Sequence, residues 1–108
     1  MEKPWLMFDA ANVAPIPGQL GVFQLADAAA NVVAIGYAGG RSLFGLRGVL
    51  QDHLAAPPAG AVQFRYEVNT QYLTRYRELL MLHVADYGEL PLLNREDPPA
   101  NLGRLSPL

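Results

Sequence analysis

The chain contains no cysteine. A disulfide scaffold, a zinc ribbon and a thiol nucleophile are therefore excluded. Lysine is nearly absent too: of eight basic residues only Lys3 is a lysine, and seven are arginine. Arginine forks grip phosphate or carboxylate with two parallel hydrogen bonds and so suit specific sites. A GC-rich coding bias, which enriches arginine, alanine and glycine together, accounts for the count equally well. No apolar run approaches the ~20 residues of a membrane span, and Met1–Pro4 does not open like a signal peptide. The expected compartment is the cytoplasm, with no membrane partner. A net charge of −2 counts against avid, non-specific nucleic-acid binding, which depends on many cationic phosphate contacts.

Several chemical signatures are missing as well. Gly36-Tyr37-Ala38-Gly39-Gly40 follows a strand-like run but lacks the Walker lysine and the dinucleotide spacing. His53 and His83 stand far apart, without the i, i+4 spacing of a metal-binding helix. There is no Gly-x-Ser-x-Gly elbow, and Ser42 and Ser106 have no local base motif.

What is present suffices for one core. The chain has 108 residues, 51% hydrophobic and 17% charged, which rules out disorder of the whole and fits one domain. We expect an N-terminal lead-in over residues 1–19, a domain over 20–94, and a mobile or loosely docked tail over 95–108 that holds three of the nine prolines. Pro15–Gly18 reads as a turn into the first strand. Leu20–Leu25 and Asn31–Tyr37 are strands, joined by a link of hairpin length and so antiparallel. Ser42 is the expected N-cap of a helix through Leu43, Leu46, Leu50 and Leu54. Gly45 and Gly48 fit inside that helix if its face lies close against another backbone. Ala61–Val68 alternates, with Val62, Phe64, Tyr66 and Val68 expected to be buried and Gln63, Arg65 and Glu67 to face out. The buried set should meet a helix capped by Asn69 or Thr70, with the stripe Leu73, Tyr76, Leu80 and Val84. Gly88 and Pro91 stop that helix. The order strand, strand, helix, strand, helix predicts an α+β fold, a small antiparallel β-sheet flanked by helices.

Gly21-Val22-Phe23 is followed, after a ten-residue gap, by Ala34-Ile35-Gly36. Downstream come a Leu-Arg-containing helix with His53, a strand, a helix with Glu78-Leu79-Leu80-Met81-Leu82, and Pro91-Leu92-Leu93-Asn94. In this order, from about Gly21 to Asn94, the chain resembles the GIY-YIG nuclease superfamily, as a degenerate member. The resemblance implies a GIY-YIG endonuclease-like fold, DNA as partner, and phosphodiester hydrolysis assisted by Mg2+ or Mn2+. It implies that Glu78 binds the metal, that Arg47 or Arg41 meets the phosphate, and that Asn94 orders the site. Such chemistry needs charge neutralisation and positioning more than covalent steps.

The sequence departs from the family pattern where that chemistry sits. Phe23 and Ala34 stand where the two tyrosines belong, and neither carries a phenol oxygen. Tyr37 has opposite strand parity to Ala34 and points to the other face. It, or a metal-bound hydroxide, would have to serve as base. Val49 rather than Arg47 falls at the usual arginine slot. Each candidate also has a plain structural reading: Glu78 as a helix-surface carboxylate paired with Arg75 or Arg77, Arg47 as a solvated arginine, Asn94 as a turn residue. The expected function is a degenerate nuclease-like domain in which hydrolysis is weak or absent. The alternative is a non-catalytic binding or assembly module on the same fold. Trp5–Phe8 with Leu102, Leu105 and Leu108 would then form a partner surface, with a homodimer the expected assembly.

Overall fold

The first two strand-like runs of the sequence fold back on each other. In the computed structural model, which describes residues 1–58 and 60–96, the elements are β1 (Leu6–Met7), α1 (Ala10–Val13), β2 (Gly21–Ala26), β3 (Val32–Ala38), α2 (Gly45–Ala55), β4 (Gln63–Val68), α3 (Tyr72–Tyr87) and α4 (Leu92–Glu96). β2 and β3 form an antiparallel hairpin with Gly21 opposite Ala38 and Leu25 opposite Ala34. Asp27 builds the turn: its carboxylate accepts the N–H groups of Ala29 at 3.0 Å and Asn31 at 2.9 Å, around an Ala30 held at φ 64°. β4 pairs antiparallel with the other side of β2, and β1 with the far side of β4, so the strand order is β1-β4-β2-β3. The fold class is α+β, a four-stranded antiparallel sheet with helices on both faces.

The period of two along each strand divides the sheet. Phe23, Leu25 and Phe64 share one face and are covered by Val13 of α1 and by Leu46 and Leu50 of α2. Val22 and Ile35 share the other and meet Tyr76, Leu79 and Leu80 of α3. The alternation in β4 holds, but its apolar side meets α2 rather than the expected α3, and Val62 and Val68 are exposed. Gln63, Arg65 and Glu67 lie on the α3 side and are half-buried rather than outward. The buried stripe of α3 is Tyr76, Leu79 and Leu80; Leu73 and Val84 are exposed. That stripe sits over the β2–β3 half of the sheet, which leaves room beneath α3 for polar side chains from β4.

The segment expected as a lead-in belongs to the fold. Leu6 pairs with Phe64 and Met7 with Gln63. Phe8 packs on Phe64 with ring centroids 5.6 Å apart, and Phe8, Val13 and Ile16 are all buried. Part of the apolar N-terminal patch is thereby consumed by the chain's own core, while Leu6 and Met7 stay exposed.

Ser42 does not cap α2, which begins at Gly45 without a side-chain cap. Its start is fixed by backbone instead: the Leu46 N–H donates to the Gln19 carbonyl at 2.9 Å. Gly45, at φ +58°, lies so near that an added Cβ would come within 2.4 Å of the Gly18 carbonyl carbon. The glycine is required there for both reasons. α3 begins after Gln71, and Asn69 acts two residues before that N-cap position, accepting the Gln71 N–H at 2.8 Å. Gly88 ends α3 in the left-handed region at φ 82°, its N–H donating to the Val84 carbonyl, as its position in the sequence predicts. Arg95 and Glu96, expected in the tail, complete α4. The rest of the tail, with Leu102, Leu105, Ser106 and Leu108, lies outside the described residues. Among the described residues no helix is long and apolar enough to cross a membrane.

Candidate functional site

The candidate site residues fall into four places. Tyr37, on the α3 side of β3 as its parity requires, is 41% exposed. Its ring stacks on Tyr72 from the first turn of α3, with centroids 5.6 Å apart and planes 23° apart. It meets Tyr76 edge-on at 4.9 Å. The Tyr72 hydroxyl accepts the Gly40 N–H at 3.3 Å. Gly39 lies against the same ring, where an added Cβ would stand 3.0 Å from a ring carbon. Ser42 closes the loop: its hydroxyl accepts the Gly39 N–H at 3.2 Å, and its own N–H donates to the Gly39 carbonyl at 3.0 Å. Tyr37, Gly40, Arg41 and Tyr72 thereby line one open cleft of about 430 Å³. Arg41 is exposed and makes no ion pair among the described residues. Leu43 and Phe44, next along the loop, are 85% and 57% exposed.

Arg47 is elsewhere. It lies on α2, on the opposite face of the sheet from α3, and its guanidinium donates to the Ile16 carbonyl at 3.5 Å. Phe23 is buried on that same face, with its ring tip where a Gly36 Cβ would be. Its ring centroid is 5.5 Å from that of His53. Burial lowers the His53 pKa, with Asp52 acting against the shift. Ala34 packs against the same apolar cluster.

Glu78 stands on α3 and is held by Arg75, whose guanidinium also donates to Glu67 at 3.1 Å. Burial acts to raise the Glu67 pKa, but hydrogen bonds from Asn69 and Arg75 and the Arg75 charge outweigh it, so the carboxyl sits below its ordinary value. Burial likewise acts to lower Arg75, and its two carboxylate partners reverse that. This surrounding does not fit a magnesium or manganese ion at Glu78. Hard divalent cations take several oxygen ligands, whereas here one guanidinium occupies both nearby carboxylates. Among the described residues no three His, Cys, Asp or Glu side chains cluster as a metal site.

Asn94 is neither a turn residue nor a cleft residue. It is buried, and its amide clamps the main chain of Ile35: the Ile35 N–H donates to Oδ1 at 2.9 Å, and Nδ2 donates to the Ile35 carbonyl at 3.0 Å. The expected set thus separates. Tyr37 and Arg41 come together, Glu78 joins an ion-pair cluster, Asn94 seals a strand, and Arg47 lies across the sheet. Tyr72 is the cleft residue that the sequence analysis does not single out. The signal for it is the Gly39-Gly40 pair, which leaves space for a ring.

Residues 1–86 match the model of a family described as a domain of unknown function (DUF7508), and the chain belongs to that family. The matched span takes in the N-terminal segment, β1 through β4 and nearly all of α3, and stops before Asn94. No curated protein matches the chain.

Proposed function

We propose that this family member is a nuclease-like domain, a degenerate relative of the GIY-YIG superfamily, that holds a nucleic-acid strand without cutting it. The observation that carries the reading is the pairing of Tyr37 and Tyr72 in one open cleft with Arg41, which makes no ion pair among the described residues. Proteins that hold single strands stack bases on aromatic rings and meet the backbone with cations. The small cleft and the net charge of −2 suit a short single-stranded segment rather than a long duplex. Loss of hydrolysis is supported by the separation of Arg47 from Glu78, by the hold of Arg75 on Glu78, and by the buried Phe23 and half-buried Ala34, which carry no hydroxyl.

Two measurements test this. A plasmid-nicking assay with Mg2+ or Mn2+ should give no metal-dependent nicking. Strong nicking that disappears in Glu78→Ala would overturn the loss of hydrolysis. Anisotropy of a labelled oligo-dT should show binding that Tyr37→Ala or Arg41→Ala weakens about tenfold, in line with the ~1–3 kcal/mol of a base stacked on an aromatic ring. The second reading, an assembly module or homodimer, is favoured by the exposure of Leu43 and Phe44 beside the cleft. Under that reading Leu43→Asp lowers the mass seen by light scattering and leaves oligo-dT affinity unchanged.

A further inference from the structure

The outer edge of β4 is only partly covered. β1 reaches Gln63 and Phe64 and no further, so among the described residues Arg65–Val68 has no strand partner on that side. The Asn69 N–H donates to Leu20 on β2. By the alternation of an antiparallel ladder, the main-chain groups of Tyr66 and Val68 therefore point outward. Beside this open edge is a slot of about 390 Å³ between the N-terminal segment and the turn at Pro17. Its two sides differ in chemistry. Leu6, Pro17, Tyr66 and Val68 form an apolar wall on the α2 side, and Lys3 and Arg65 a basic wall on the α3 side.

Arg65 is the informative residue. Its Nε donates to the buried Gln24 side chain at 2.7 Å and its Nη1 to the Lys3 carbonyl at 3.1 Å, while its guanidinium lies 4.0 Å from the Trp5 ring centroid. It makes no ion pair among the described residues, whereas Arg75 has two carboxylates. Burial pulls the Arg65 pKa down, which marks a cation short of compensation.

We propose that this slot takes an extended peptide of a partner protein, which adds as a strand to β4 and alternates apolar and acidic side chains. The strand's main chain would satisfy Tyr66 and Val68. Its apolar side chains would lie on Pro17 and Val68, and its acidic ones on Arg65 and Lys3. The open edge is about four residues, roughly 13 Å of strand. The flanks decide between a peptide and a second copy. A second β4 would bring its own Lys3 and Pro17 against these, so the slot admits one slim chain and not another sheet. The site lies at the opposite edge of the sheet from β3 and does not depend on the nucleic-acid reading.

The test uses a labelled decapeptide of alternating valine and glutamate, with a valine–lysine decapeptide and a proline-interrupted version as controls. Amide exchange of the full chain is followed by NMR. The valine–glutamate peptide should bind at least tenfold tighter than either control and should slow exchange at Tyr66 and Val68. Arg65→Ala should weaken binding about tenfold. Because that variant also strips a partner from buried Gln24, Lys3→Glu and Val68→Asp serve as variants on exposed positions, and each should weaken binding several-fold. Equal binding of the glutamate and lysine peptides, binding that leaves Tyr66 and Val68 exchange unchanged, or no binding at millimolar peptide would each overturn the proposal. So would slow exchange at these two amides without peptide: if it grew with protein concentration, a second copy would be the occupant, and if it did not, the chain itself would cover the edge.

Discussion

The two edges of the sheet are finished by different means. At β3 a single buried side chain caps the middle of the edge: the Asn94 amide presents one donor and one acceptor to Ile35, as a neighbouring strand residue would. At β4 a true strand pairs with the edge, but β1 is only two residues long and, among the described residues, leaves Arg65–Val68 without a strand partner on the outer side. Exposed edges invite pairing with other chains, and proteins blunt them with short strands, proline and charge. Here Pro4, Pro17, Lys3 and Arg65 gather at the open edge. The difference teaches that an amide can satisfy a single buried residue of an edge, whereas a partial strand flanked by walls leaves main-chain groups available.

The comparison breaks most sharply at the residue that anchors β1. Phe8→Ala should destabilise the domain by about 3–4 kcal/mol, the usual loss for a buried aromatic, and should speed exchange at Phe64, which it packs against. Urea denaturation reads this. A loss below about 1 kcal/mol would mean that the N-terminal segment is only an appendage. On the other edge, Asn94→Ala should cost about 2–3 kcal/mol, because it leaves the N–H and C=O of Ile35 buried without partners. Asn94→Asp sharpens the point: it keeps the acceptor for the Ile35 N–H and loses the donor. The Ile35 amide should therefore stay more protected in Asn94→Asp than in Asn94→Ala.

How much of this was legible in the sequence depends on how local the cause is. β4 could be read because period-two alternation is written into neighbouring residues, β2 and β3 because short apolar runs are joined by a link of hairpin length, and Gly88 because a left-handed helix end favours glycine in any context. β1 could not be read, since two residues carry no period. The face of β4 was mistaken because Leu73 and Val84 make as good an apolar stripe as Tyr76, Leu79 and Leu80 on paper. Only the opposing sheet half, with Val22 and Ile35, selects between them. Asn94 was noticed, but an amide that bonds its own turn and one that bonds a distant strand give the same letter. For the candidate site, the parity of Tyr37 and its closeness in sequence to Arg41 were readable. The placement of Arg47 and Glu78 on opposite faces was not, because it follows from which helix covers which side.

Two smaller effects concern the seams that hold each face. Glu67→Gln should cost about 1 kcal/mol at neutral pH by removing a half-buried partner of Arg75. Because the folded-state pKa of Glu67 is lowered from 4.5, its contribution is complete above that value. It is lost as pH falls through the lowered one. Thermal melts between pH 7 and 3 should show wild type and Glu67→Gln converging at the acid end. The His53 effect is smaller still. Its pKa is lowered from 6.5 by burial, so the folded state resists a proton that the unfolded chain accepts. Stability should therefore fall as pH drops below 6.5. His53→Gln should flatten that slope by about 1–2 °C in Tm, a small figure because the ring is partly solvated.

The Asn94 clamp also has a consequence in time. Ile35 and its sealing residue are 59 positions apart. During synthesis at roughly 5–20 residues per second, the β2–β3 hairpin is complete about 3–11 s before Asn94 is added. For that interval the nascent chain carries the run Val32–Ala38 with an uncovered outer edge, a β-rich segment without charge. The final structure caps this edge at Ile35 with one amide, but a chain stalled or truncated before residue 94 lacks that cap. That makes the interval before residue 94 the stage of this protein's life when a chaperone would matter most.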